Sequence, residues 1–441
     1  MRSLKLLVFC LPWVAACSQQ EAPPPATSSA VLFEGARLII GDESRPVDDA
    51  AFVVENGRFT QVGTAGEVEP PAGATRVDLT GKTVMPALVD LHVHLGYADI
   101  GGMTNSPENY SRDNLIDHLR RSAYYGTAAA LSMGIDRGDM PLQLREETIP
   151  GAARFLSVGP GIARPNAGPG AADRRDIPYG VTTQEEARAA VRELAAKNVD
   201  MVKIWVDDRN GTVEKLTPDL YGAIIDEAHA HGLRVAAHIF NLEDAKGLLR
   251  AGLDGFAHGV RDLDIDAEFM ALLAERPDLF LMPNLPESGL RSEADLAFFA
   301  ETLPAEAIER MREELASQER GDPDERFEVQ AHNLARMHAV DVTIGFGTDG
   351  DGSGWNAHEE LADMVAAGLS PAEVIVAATS TSAEILGLDE LGTVAAGKSA
   401  DFIVLDANPL DDIANTRRID RVYLRGEEVD RAALRARWIG P

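Results

Sequence analysis

Between Leu88 and Gly347 eight short apolar runs recur, each followed by a stretch of helical periodicity, and this alternation leaves few folds open. The runs lie near Leu88 to His94, Thr127 to Met133, Arg154 to Val158, Asp200 to Val206, Arg234 to Ile239, Gly255 to His258, Leu279 to Pro283 and Val342 to Gly347. Repeated strand and helix pairs build a parallel sheet with helices outside it, and eight of them suffice to close a (β/α)8 TIM barrel. Helix starts keep the phase. Thr217-Pro218-Asp219 and Ser370-Pro371-Ala372-Glu373 put an N-cap before a first-turn proline, the second with a capping-box glutamate. The charged, helical stretch from Ser292 to Val340 reads as an excursion between the seventh and eighth strands that roofs the barrel mouth.

The flanks have a different texture. From Val31 to Met85 the pattern is short alternating strands with an Asn56-Gly57 turn, and it returns in GTVAAGKSADFIVLD and RVYLRGEEV, where Arg425-Gly426-Glu427 echoes Glu55-Asn56-Gly57. Residues 31–85 and 389–430 are therefore expected to pair into one small β domain, with the barrel spanning 86–388. Ahead of both, MRSLKLLVFCLPWVAAC has a basic start (Arg2, Lys5) and an apolar run, Leu6 to Ala16, too short to cross a bilayer. It ends Val14-Ala15-Ala16-Cys17, which resembles a bacterial lipobox: residues 1–16 as signal, Cys17 carrying lipid, residues 17–30 as a Pro, Ser and Ala tether. The expected location is the cell envelope, periplasmic or at the outer membrane, with an ordinary secretory signal as the competing reading.

Charge and cysteine usage narrow the chemistry. With 41 basic and 71 acidic residues the net charge is -30, which repels phosphate backbones and excludes a nucleic-acid partner. The two cysteines are Cys10 and Cys17, so the body of the chain holds neither a disulfide nor a thiolate metal site. A metal must sit on histidine, carboxylate or something unusual.

The first strand ends Asp90-Leu91-His92-Val93-His94, and strand alternation turns both imidazoles to one face. His229-Ala230-His231 has the same spacing but closes a helical pattern, where residues two apart diverge by about 200°. His238, His258 and Asp349 each fall at the C-terminal end of an expected strand, the face on which barrel enzymes carry their chemistry. Lys203 lies inside the apolar strand DMVKIWV, where a lone ammonium is costly unless neutralised, paired or modified. Trp205 shares its face and is a pocket-wall candidate, as is Phe240; His358, in GWNAHEE, could reach a substrate from the loop after the eighth strand. His118, His332 and His338 lie in helical patterns and read as structural.

MPALVDLHVH, VKIW, AAHIF, DGFAH, GTDG and AAGKSADFIVLD, in that order, resemble the metal-dependent amidohydrolase superfamily, particularly its imidazolonepropionase-like and dipeptidase branches. The resemblance spans nearly the whole mature chain. It implies a distorted (β/α)8 barrel plus a β-sandwich-like domain from both chain ends, holding divalent ions, zinc by default. It further implies a carboxylated Lys203 bridging two ions: His92, His94 and Asp349 on one, His238 and His258 on the other. In this resemblance the ions would supply a hydroxide and polarise the substrate carbonyl, and Asp349 would accept the water proton and pass it to the leaving amine. The expected reaction is cleavage of amide C–N bonds in dipeptides or N-acyl amino acids, small-molecule substrates. A lactone or ester hydrolase on the same site, or a lipid-anchored metal- or solute-binding protein without catalysis, are the alternatives. Phe240 stands where prolidase-like members often carry a tyrosine, and Ala87 where a glycine is more usual.

Overall fold

The computed structural model describes residues 30–285, 292–317 and 325–440. Cys17, the expected signal and all of the tether except Ala30 lie outside the described residues. The barrel strands are β1 (Leu88–Val93), β2 (Thr127–Ser132), β3 (Arg154–Ser157), β4 (Val202–Val206), β5 (Val235–Ile239), β6 (Gly255–Ala257), β7 (Phe280–Met282) and β8 (Thr343–Ile344). They pair in parallel as two arcs, β1-β2-β3 and β4 through β8. Two junctions complete the circuit. Leu91 N donates to Phe346 O at 2.9 Å and Val93 bridges Gly350, so β1 meets the end of β8. At the other junction Asp200 N donates to Ser157 O, while the short strand Ile162–Ala163 takes the edge of β4 in place of β3. The result is a distorted (β/α)8 barrel.

Period-two alternation decides which side chains enter it. On β4, Val202, Ile204 and Val206 join the main apolar cluster with the surrounding helices, leaving Met201, Lys203 and Trp205 for the interior. The helix signals behave unequally. Ser370 forms the full capping box with Glu373, whereas Thr217 starts its helix (Pro218–Ala230) through the proline without a side-chain cap.

The flanking strands form one eight-stranded sheet ordered Glu427–Glu428, Ile419–Leu424, Phe402–Leu405, Thr83–Pro86, Val31–Leu38, Val47–Glu55 and Arg58–Thr64, with Thr75–Asp78 also on Val31–Leu38. The echoed turns meet in space. Asn56-Gly57 and Arg425-Gly426 all have positive φ, the demand of a two-residue hairpin, and a Cβ on Gly57 would lie 2.8 Å from Arg425 O. Thr83–Pro86 runs directly into β1, so the sheet and the first ligand-bearing strand are covalently in register. The excursion contains helices Glu293–Phe299, Ala305–Ser317 and Glu325–His338. Leu296, Phe299 and Leu303 pack with Ala98, Ile100 and Trp355, over the loops that follow β1 and β8.

Candidate metal centre

Backbone hydrogen bonds at the β1–β8 junction build the first part of the site. Asp349 N donates to His92 O at 2.8 Å and His94 N to Gly350 O at 2.7 Å, which holds the two strand ends side by side. His94 stands one residue past β1, and the register against β2 shifts between Asp90 and Val93. The two imidazoles still converge, Nε2 to Nε2 at 3.3 Å. Asp349 Oδ1 lies 3.4 Å from His92 Nε2 and 3.0 Å from His94 Nε2. Among the described residues, His92, His94 and Asp349 form a group whose ligand atoms all lie within 4.8 Å of one another.

Three further strands complete the ring. Lys203 Nζ, from β4, is 3.4 Å from His92 Nε2 and is 1% exposed. His258, one residue past β6, has Nε2 3.8 Å from Asp349 Oδ2, and its ring sits 5.1 Å from that of His92 and 4.8 Å from that of His238 on β5. His258 and Asp349 both hold positive φ, 89° and 53°, an outlying backbone for non-glycine residues that long-range packing must maintain.

The electrostatics suit a cation. Burial pulls His92 and His258 well below the ordinary imidazole value and His238 down to about 4, so all three present lone pairs. Burial likewise brings Lys203 down to about 7. Desolvation pushes the Asp349 carboxyl up, but His92, the His94 hydrogen bond and Lys203 outweigh it and hold the group below the usual carboxylate range. His92 Nε2, His94 Nε2 and Asp349 Oδ1 lie within 3.4 Å of one another, a cluster of imidazole nitrogens and carboxylate oxygen whose chemistry fits a divalent metal.

Three further residues support the ligand set. Asp90 accepts from His92 N, Thr348 N and Thr348 Oγ1, tying β1 to the loop after β8; burial pushes its carboxyl up to about 7 against those donors. Asp207, directly after β4, sits 3.2 Å from His238 Nε2 and so leaves Nδ1 as the nitrogen for a ligand. Asn284, beyond β7, has Oδ1 3.1 Å from His92 Nδ1. Asp90 was visible two residues before His92; Asp207 and Asn284 had no spacing to betray them.

Two expected substrate residues need correction. His358 is 1% exposed in the helix Asn356–Ala366, with Nε2 donating to Tyr125 O at 2.9 Å and Nδ1 3.0 Å from Thr416 Oγ1. Both nitrogens are engaged away from the centre, because the helix turns the ring toward Phe298 and Tyr125. Trp205 is also closed off: its ring packs with Tyr97, Ile135 and Ala163, and Lys203 Nζ lies 5.3 Å from its centroid. It supports the lysine instead of facing a pocket. Phe240 is partly buried just after β5. His229 and His231 end their helix beside Asp254 and Glu227, on the surface as the helical spacing implies.

His358 carries a testable consequence for stability. Burial holds its imidazole at about 3, while the unfolded chain takes up a proton near 6.5. Between those values the unfolded state binds more protons, so the contribution is complete above about pH 6.5 and is lost as pH falls toward 3. A His358→Gln variant is expected to melt lower at neutral pH, to lose less with acidification than the parent, and to keep its kcat/KM. Parallel melting-versus-pH curves for the two proteins overturn this.

Residues 83–429 match the model described as the amidohydrolase family. The chain belongs to that family. As an amidohydrolase it is a hydrolytic enzyme, of a family that generally uses divalent metals. It is similar to an uncharacterised protein of Mycobacterium tuberculosis (strain ATCC 25618 / H37Rv), 29% identical over 368 residues, 81% of this chain and 88% of that relative. It is also similar to the imidazolonepropionase of Cereibacter sphaeroides (strain ATCC 17029 / ATH 2.4.9), 26% identical over 386 residues, 82% of this chain and 89% of that protein. A solved Xaa-Pro dipeptidase with bound methionine in its active site shares the fold at a TM-score of 0.70 and 24% identity, covering 91% of this chain and 99% of that one. Of the two expected branches, the imidazolonepropionase-like one is represented among the relatives this amidohydrolase is similar to, and the likeness to the dipeptidase is one of fold.

Proposed function

We propose that this amidohydrolase cleaves the amide C–N bond of dipeptides or N-acyl amino acids, anchored in the cell envelope by lipid on Cys17. The observation that carries the reading is the convergence of His92, His94 and Asp349 with Lys203 and His258 at the C-terminal mouth of the barrel. His92, His94 and Asp349 would hold one ion, His238 and His258 a second, and Lys203, as its carbamate, would serve both. Divalent ions, zinc by the chemistry of histidine-rich donors, supply carbonyl polarisation and a lowered water pKa. Asp349 does the proton work, and its side chain keeps 43% exposure. In this reading it takes the proton of the attacking water and returns it to the leaving nitrogen. Phe240 contributes an apolar wall beside His238.

The similar dipeptidase and imidazolonepropionase support C–N chemistry, and the net charge of -30 disfavours strongly anionic substrates. The test is mass-spectrometric turnover of a pooled dipeptide and N-acyl amino acid library by a soluble form starting after Cys17, loaded with zinc and bicarbonate. Release of free amino acids is expected. Silence across that pool with turnover of lactones or esters replaces the amide reading, and silence on every acyl class replaces catalysis with binding.

A further inference from the structure

His92 is the buried hub of the site, and only one of its ring nitrogens can serve a metal. Its Nε2 points at Lys203 Nζ, His94 Nε2 and Asp349 Oδ1, all within 3.4 Å. Which tautomer it adopts depends on what Nδ1 meets, and Nδ1 meets Asn284 Oδ1 at 3.1 Å. Asn284 is 6% exposed, lies beyond β7 and is 192 positions from His92 in the chain.

We propose that Asn284, seated by Glu360, is a positioning residue of the metal centre: its amide oxygen fixes His92 as the Nδ1–H tautomer, leaving the Nε2 lone pair for the ion. The inference rests on the metal-centre reading and adds a residue that the ligand set does not contain.

Three observations carry it. The first is orientation. With the amide turned the other way, its NH2 would meet Nδ1, and the ring proton would move to Nε2, pointing into the ligand cluster where no metal ligand can carry it. The second is the seat. Asn284 adopts a left-handed backbone, φ 47°, and the backbone there is held from another element: Leu285 N donates to Glu360 Oε2 at 2.9 Å, and the backbone of Asn284 also bonds this carboxyl. Glu360 is 1% exposed in the helix Asn356–Ala366, an expensive place for a carboxyl unless backbone donors need it. The third is the space made for it. A Cβ on Gly347, just before Thr348 and Asp349, would sit 3.0 Å from Asn284 Nδ2 and 2.8 Å from His92 Cβ. The side chain is thus clamped between β1 and the end of β8, with Nδ2 buried and, among the described residues, without a hydrogen-bond partner. A polar group placed there at that cost is explained by the work of its oxygen on His92.

The test compares Asn284→Leu, which keeps the volume and removes the acceptor, with Asn284→Asp, which keeps it. Three readouts are independent of turnover: the melting temperature of the metal-free protein, the metal dissociation constant from chelator competition, and the visible spectrum of the cobalt-loaded protein. Asn284→Leu is expected to weaken metal binding by about 10- to 100-fold and to alter the cobalt bands. Asn284→Asp is expected to stay within about threefold of the parent, with kcat retained better than in the leucine variant. Should the leucine variant fail to fold, Asn284→Ala carries the same comparison. Parental affinity and spectrum in the acceptor-free variant overturn the proposal and leave the proposed function intact. A parent chain that binds no divalent metal overturns the reading beneath it.

Discussion

Replacing Asp349 by asparagine is expected to lower kcat by about three orders of magnitude or more while the fold survives. General acid and base catalysis alone contributes about 10²- to 10⁴-fold, and the same substitution also removes a charged oxygen from the ligand group. Asparagine tolerates the left-handed backbone at this position, φ 53°, and the backbone bond from residue 349 to His92 O does not depend on the side chain. Loss of activity would therefore not come from misfolding, and a melting curve close to the parent's checks this. Metal content measured on the same samples separates the roles: a variant that keeps its metal but not its turnover isolates proton transfer. Turnover within about tenfold of the parent at full metal content would remove Asp349 from the reaction.

Lys203→Ala is expected to be as damaging, and for a different reason. The amine is buried, 3.4 Å from His92 Nε2 and close to the ring of Trp205, with no carboxylate at salt-bridge distance among the described residues. A charged lysine in that position is costly to the fold even with Asp349 as partial compensation, and the carbamate proposed above would turn it into a source of oxygen ligands. Shortening the side chain to alanine opens space next to the ring, and a short carboxylic acid added to the assay can occupy it and supply those oxygens. Partial recovery of kcat with acetate or propionate is the expected outcome, saturable in the acid. Lys203→Met fills the same space with an apolar stem and is expected to stay inactive at every acid concentration. Equal recovery in both variants, or in neither, overturns the carbamate. A carbamate also adds about 44 Da to the intact chain by formula, visible by mass spectrometry under conditions that preserve it.

Much of the barrel was legible because each strand announces itself by composition. VKIWV, VAAHI and GFA are short, apolar and followed by helical periodicity, and the observed β4, β5 and β6 lie within the expected runs. β8 is the exception: the run Val342 to Gly347 shrinks to Thr343–Ile344, because the following residues leave the ladder to carry Thr348 and Asp349 across to β1. His229-Ala230-His231 could be set aside from spacing alone, since helical and extended backbones send residues two apart in different directions. His358 could not. Its place just after the Asp349 loop looks like a substrate contact, and only the packing of its helix against Tyr125 and Phe298 shows the ring turned away.

The sequence by itself determined the family, the barrel and the set of side chains able to meet a metal, because those depend on periodicity, strand-end positions and residue chemistry, all local properties of the chain. Tertiary structure alone decided how the set is held. Asn284 reaches His92 across 192 residues, Asp207 reaches His238 across 31, and the backbone of His92 accepts from Asp349. The left-handed backbones at His258, Asn284 and Asp349 are likewise set by hydrogen bonds from other strands and helices. The physical reason is that a periodic pattern specifies which face a side chain takes but not which neighbour it finds there. Neighbours are chosen when the barrel closes, and closure is a property of all eight strands together.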